Sequence, residues 1–138
     1  MNHRELLEQA LEARKRAYAP YSGFLVGAAL LGTSGKIYLG CNVEIASYGA
    51  TCCAERVALF SAVCAGERTF QAIGIVGGKT DEEARNSSCA PCGVCRQALW
   101  EFCGGDFWVV TNPSNPESHT LEELLPCAFQ KETLDSSN

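Results

Sequence analysis

Three thiols and one carboxylate, in two short words far apart in the chain, place the strongest condition on its fold. Cys53-Ala54-Glu55 offers one metal-binding sulfur with an acid two residues on. Pro91-Cys92-Gly93-Val94-Cys95 offers two sulfurs at a spacing that lets both reach one ion. Cys92 follows Cys53 by 92 − 53 = 39 positions, so a fold that uses both words must bring distant segments to one point. Cys92 and Cys95, three apart at a predicted helix start, lie on one face. Cys53 and Glu55 are two apart, which a regular helix does not align, so Cys53 is expected at or just before a first turn. Both words then sit at N-termini of neighbouring helices, where free N–H groups and the positive helix ends favour thiolates. Three protein ligands leave a tetrahedral zinc with an open position for water, and Glu55 is the proton carrier such a water needs.

The rest of the composition narrows the class. At 138 residues and 46% hydrophobic content, the chain is expected to form one domain, residues 1–138, with a real core. It runs from Met1 directly into a charged amphipathic segment, with no apolar leader and no run able to cross a bilayer. A cytoplasmic protein with no membrane partner is expected. Nine cysteines are an odd count without a signal peptide, which favours reduced thiols and a metal over a disulfide scaffold. The formal net charge is −5 and the densest basic group, Arg14-Lys15-Arg16, makes no stripe, so nucleic acid is not the expected partner. The ligand should be small and not strongly anionic.

Along the chain, Leu6, Leu7, Ala10, Leu11, Ala17 and Tyr18 recur at helical spacing before Pro20. Phe24 to Leu31 suits a buried strand, and Thr33-Ser34-Gly35-Lys36 turns it into a second strand, Ile37 to Val43, as an antiparallel hairpin. A second helix is predicted over Cys53 to Ala65 with Gly66 as its stop, and a third strand over Phe70 to Val76. Gly77 to Ala90 reads as a polar loop. A third helix covers Cys92 to Phe102, and a fourth strand Asp106 to Thr111. Glu117 to Thr120 carries a weak edge-strand signal, and Thr120-Leu121-Glu122-Glu123 resembles a capping box that opens a short last helix. The polar tail after Lys131 is expected to fray. This alternation predicts an α/β fold, one sheet with helices on both faces.

Other uses of the thiols must be weighed. Cys89 extends the second word to C-x-x-C-x-x-C and Cys52 abuts Cys53, so the donors for a structural four-cysteine zinc are also in the sequence. Such a site leaves Glu55 unexplained. Cys41, Cys64, Cys103 and Cys127 are most simply small core residues. Three thiolates around Zn²⁺ carry an excess negative charge, which a hydrogen bond from Arg56 or Arg96 to a ligand sulfur would offset.

Together the two words match the zinc deaminase signature in its three-cysteine form. Pro20-Tyr21-Ser22, Phe24, Val26-Gly27-Ala28-Ala29, Gly40-Cys41-Asn42-Val43-Glu44 and Glu123-Leu124-Leu125-Pro126 extend the likeness. From about Leu6 to Phe129 the chain resembles the small homotetrameric cytidine deaminases of pyrimidine salvage. The resemblance implies a three-layer α/β/α fold with a mixed sheet of about five strands. It implies one Zn²⁺ per subunit on Cys53, Cys92 and Cys95, and a homotetramer with shared active sites. The implied reaction is hydrolytic deamination of cytidine and 2′-deoxycytidine: zinc acidifies a water that attacks C4, while Glu55 shuttles protons to N3 and to the departing amine.

Substrate contacts follow from the same likeness. Asn42 and Glu44 alternate and so share a face; by resemblance they hold the sugar 3′-hydroxyl, Phe24 lies against the base, and Ala54 is a further substrate contact. Ala46, Tyr48 and Phe129 match positions contributed from neighbouring subunits. The chain departs from the family in the long interval before Cys92, whose surplus lies in Lys79 to Ala90. It also has Ala90 before Pro91, where Ser or Pro is more usual, and the extra thiol of Cys52. Two alternatives remain: deamination of a modified, blasticidin S-like cytosine nucleoside, and a non-catalytic zinc-stabilised binding module with a fourth protein ligand.

Overall fold

The computed structural model describes residues 2–135. Its centre is a five-stranded mixed sheet in the order β2-β1-β3-β4-β5. The strands are β1 (Leu25–Gly32), β2 (Ile37–Cys41), β3 (Phe70–Gly78), β4 (Trp108–Thr111) and β5 (Glu117–Thr120). β1 pairs antiparallel with β2 and β3, β3 runs parallel to β4, and β5 returns antiparallel along β4. The predicted hairpin and the weakly signalled edge strand are both present.

Side-chain alternation sorts the helices onto two faces. On one face, Ala29, Leu31, Ala72 and Val76 meet Leu6, Leu7, Ala10 and Leu11 of α1 (His3–Arg14). Ala84 of α3 (Asp81–Asn86) joins that cluster. On the other, Ala28, Leu30, Ile73, Ile75 and Val109 meet Ala54, Ala58, Leu59 and Ala62 of α2 (Ala54–Cys64). That second cluster also takes in Leu99 of α4 (Gly93–Phe102) and Leu121 of α5 (Leu121–Leu124). The three-layer arrangement expected from the sequence is therefore the observed one.

Two glycines set how closely the helices approach. A Cβ on Gly27 would run into the backbone of Ala10 and Arg14, and one on Gly40 into the backbone of Ala54 and Ala58. Only a bare Cα lets α1 and α2 lie directly on opposite faces of the β1–β2 hairpin. Helix ends follow local chemistry. The Thr120 side chain accepts from the Glu123 N–H, as the capping signal predicted, and Gly66 leaves α2 at φ +98.

The segment expected to be a polar loop is different. β3 continues to Gly78, and α3 then forms, its Thr80 side chain accepting from the Glu83 N–H. Asp81, Glu82 and Glu83 favour the positive end of that helix, and Ala84 is fully buried. The tail expected to fray holds a short helix, α6 (Lys131–Asp135); residues 136–138 lie outside the described residues.

Arg14 closes the junction between α1, β1, β3 and α3. It is 2% exposed. Its guanidinium donates to the carbonyls of Leu25 (3.1 Å) and Gly78 (2.6 Å) and to Asp81 Oδ1 (2.6 Å). On the surface Arg85 pairs with Glu8 at 2.8 Å, again joining α3 to α1. The surplus residues of the chain thus form a helix docked on the sheet.

Candidate active site

Cys53 and Cys92 are the N-cap residues of α2 and α4, both extended, with φ/ψ of −71/154° and −70/168°. Neither side chain caps its helix, so both sulfurs are free to meet elsewhere. Cys95 lies one turn into α4 and is buried. The segment before Cys53 is fixed from the opposite side: Val43 bridges to Tyr18 and to Cys52, which brings the chain after β2 alongside the start of α2.

The three sulfurs lie within 4.8 Å of one another, with Cys53–Cys92 at 3.8 Å and Cys92–Cys95 at 3.6 Å. A disulfide needs about 2.05 Å, so these are separate thiols. Sulfurs each about 2.3 Å from a tetrahedral zinc are about 3.8 Å apart, close to the separations of Cys92 from Cys53 and Cys95. The donor set and its spacing fit Zn²⁺. Among the described residues no fourth ligand joins the group. Cys89, the candidate for a four-cysteine centre, is outside it; burial, then the negative charges of Glu55 and Cys53, push its thiol up to about 12.

Charge is distributed unevenly in the cluster. Cys53 is held down at about 5 by the hydrogen bond from Cys95 first, and then by Arg56 and Cys92. Cys95 moves the other way, because its thiol donates to that thiolate and is itself buried. A cation at this point would displace the remaining protons. Arg56 Nη2 lies 3.6 Å from Cys53 Sγ, the role expected for one of the two arginines. Arg96 does not reach a sulfur. It donates to the carbonyls of Pro91 (2.7 Å) and Leu124 (2.6 Å), bracing the turn before α4 against α5.

Glu55 is 4% exposed in the first turn of α2. Desolvation pushes its carboxyl up to about 7, with the Cys53 negative charge adding to the effect. A carboxyl near neutrality can both take and give a proton.

A cavity of about 300 Å³ opens beside the cluster and brings together Phe24, Asn42, Glu44, Cys53, Ala54 and Glu55. Every single-chain substrate contact expected from the sequence is therefore on one wall system. Asn42 is partly engaged already: its Oδ1 accepts from Val26 N–H and its Nδ2 donates to Phe24 O, both at 2.8 Å. These bonds fix the backbone from Phe24 to Val26 and leave one Nδ2 proton uncommitted among the described residues. Glu44 accepts from the N–H groups of Tyr21 (3.0 Å) and Ser22 (3.1 Å) and from the Ser22 hydroxyl. These bonds, the Ser22 hydroxyl first, hold its carboxyl below the usual range. Ala46, Tyr48 and Phe129 are exposed, Tyr48 stacking edge-on against Tyr21 at 5.8 Å. The structure does not bring Phe129 into this cavity; its carbonyl accepts from Gln97.

Sequence reasoning passed over Ser22, Thr51 and Cys89 as cavity residues. For Ser22 the signal was a Tyr-Ser-Gly turn, with Gly23 at φ +70, directly before a strand.

Residues 1–111 match the family model described as the cytidine and deoxycytidylate deaminase zinc-binding region. The chain belongs to this deaminase family. A cytidine deaminase of Sporosarcina psychrophila is 47% identical over 136 residues, spanning 97% of this chain and 96% of that one. One from Halalkalibacterium halodurans is 42% identical over 98% of this chain and 99% of its own. Among solved structures, a cytidine deaminase from Burkholderia pseudomallei superposes with a TM-score of 0.84. It is 46% identical, with 94% of this chain and 100% of that one covered. As a member of a zinc-binding deaminase family, the chain has its zinc site at Cys53, Cys92 and Cys95, the one such cluster among the described residues.

Proposed function

We propose that the protein hydrolyses cytidine and 2′-deoxycytidine to uridine and 2′-deoxyuridine with release of ammonia. The observation that carries this reading is Glu55. It is a buried carboxyl near neutrality, at the same helix start as one of three zinc-spaced thiols, facing a cavity of nucleoside scale.

Zinc held by Cys53, Cys92 and Cys95 would supply a Lewis acid that lowers the pKa of a water. The Glu55 carboxylate takes a proton from the attacking water and delivers it to N3 of the pyrimidine, so that the C4–O bond forms as the ring accepts electron density. It then takes the hydroxyl proton and returns it to the amino nitrogen, the C4–N bond breaks, and ammonia departs. Burial is what lets one residue do both jobs, because it brings the carboxyl close to the pH at which it works. Phe24 and Ala54 flank the base, and Asn42 and Glu44 hold the sugar 3′-hydroxyl. Arg56 offsets thiolate charge at Cys53.

The same reading makes the chain one domain, since both apolar clusters share a single sheet. It acts as a cytoplasmic homotetramer in pyrimidine salvage, with Ala46, Tyr48 and Phe129 completing neighbouring sites. Their exposure in a single chain supports that role. Among the described residues no helix is long and apolar enough to cross a membrane.

The test is turnover of cytidine, followed by the absorbance loss on conversion to uridine, with zinc measured on the same sample. One zinc per chain and turnover abolished by chelation are expected. Zinc with no turnover on cytidine or deoxycytidine would overturn the proposal and favour a binding module. Light scattering should give four times the 14.8 kDa chain mass; a monomer with full activity would remove the shared-site reading.

A further inference from the structure

Glu44 is more constrained than a sugar-binding carboxylate needs to be. A carboxylate offers about four acceptor positions. Two on Oε1 are filled by the N–H groups of Tyr21 and Ser22, and one on Oε2 by the Ser22 hydroxyl. The Ser22 hydroxyl has one proton, and Glu44 can take it only as acceptor. Its oxygen in turn accepts the Phe24 N–H at 3.0 Å. The donors therefore run in one direction, from Phe24 N–H to Ser22 Oγ–H to Glu44 Oε2, each bond polarising the next.

We propose that Ser22 is a positioning residue that sets how this site reads the sugar. By committing its proton to Oε2, it leaves the carboxylate one acceptor position, which a single donor hydroxyl completes. The same hydroxyl ties the backbone of Phe24, at the base, to Glu44, at the sugar. Without it Oε2 has two open positions and nothing that orients it, so the preference for one hydroxyl weakens. This rests on the reading of Glu44 as the sugar contact. The competing account is local: a Ser oxygen accepting from the N–H two residues on is an ordinary turn device and would matter only for stability.

The two accounts separate on substrates with and without the 3′-hydroxyl. The zinc-loaded wild-type protein and Ser22→Ala are assayed on cytidine and 3′-deoxycytidine. A bond to a charged group is lost, so KM for cytidine should rise about tenfold in Ser22→Ala. The turnover number and the KM for 3′-deoxycytidine should stay within about twofold. Ser22→Thr, which keeps the hydroxyl, should restore the cytidine KM. Should Ser22→Ala fail to fold, Ser22→Cys keeps the volume with only a weak donor and repeats the measurement.

Equal losses on both substrates would make Ser22 a turn residue alone and overturn the inference. A wild-type protein that does not distinguish cytidine from 3′-deoxycytidine would instead remove the sugar role of Glu44, and the inference with it. The first result leaves the reading of Glu44 standing; the second does not.

Discussion

Arg14 and Arg56 sit on helices that press on one sheet from opposite faces, yet they are used in opposite ways. Arg14 is 2% exposed and matched on all sides, by two backbone carbonyls and the Asp81 carboxylate. Arg56 faces a sulfur at 3.6 Å, and its Nε, also buried, has no partner among the described residues. Around Arg56 stand three thiols at metal spacing and a carboxyl lifted to about 7. The α1–α3 face closes its polar groups within the protein. The α2–α4 face keeps three thiols at metal spacing, a buried carboxyl and an unpartnered Arg56 Nε, although Arg56 Nη2 also reaches the Thr51 carbonyl at 3.4 Å. Strain of this second kind marks a working site, because burial without full pairing is costly and persists only where it is used.

The largest expected break in this comparison comes at Glu55. Glu55→Gln should bind zinc normally and lose about 10⁴-fold in kcat, the upper range for general acid–base catalysis, since the residue moves more than one proton. Zinc content by atomic absorption beside a progress curve decides it; an active variant would end the proposed mechanism. Next comes Arg14→Met, which strands the carbonyls of Leu25 and Gly78 in the interior. A loss of about 3 kcal/mol in urea unfolding is expected, with zinc content unchanged. Loss of zinc without loss of stability would mean that the two faces are not separate in function.

Arg56→Gln should act the other way, lowering zinc affinity or turnover about 10- to 100-fold with little change in unfolding. Metal competition with a chelator dye reads this directly, and wild-type behaviour would leave Cys53 without its expected counter-charge. The smallest effect belongs to Asp81→Asn. The Asp81 side chain is 89% exposed, so its pair with Arg14 should contribute less than about 1 kcal/mol. A larger fall in the urea midpoint would show that α3 is held mainly by this one ion pair and not by Ala84.

Residue types with a single strong use were legible in the sequence. Cys53, Cys92 and Cys95 could be placed at helix starts because spacing and cap geometry agree, and Gly66 and Thr120 marked helix limits for equally local reasons. Asn42 and Glu44 were found as an alternating pair, although the hydrogen bonds of Asn42 to Phe24 and Val26 were not foreseeable. What stayed hidden depends on contacts far along the chain. Arg14 stood out in the sequence only as one of the basic group Arg14-Lys15-Arg16, and the return of β3 and α3 is what buries it. Arg96 seemed as close to the sulfurs as Arg56, but its partners are carbonyls of Pro91 and Leu124. Helix α3 had its own signal in Thr80-x-x-Glu83. Its shortness and polarity outweighed that cue, since one buried residue, Ala84, makes no visible period.

Gly40 has a consequence for how such a site can be tuned. With no side chain between β2 and the first turn of α2, the thickness of two backbones alone sets how far Cys53 and Glu55 stand from the sheet. Cys92 and Cys95 hang from a different helix and do not share that spacer. A methyl group at position 40 would therefore work as a shim under one half of the metal site, changing the gap between the two halves without touching a ligand.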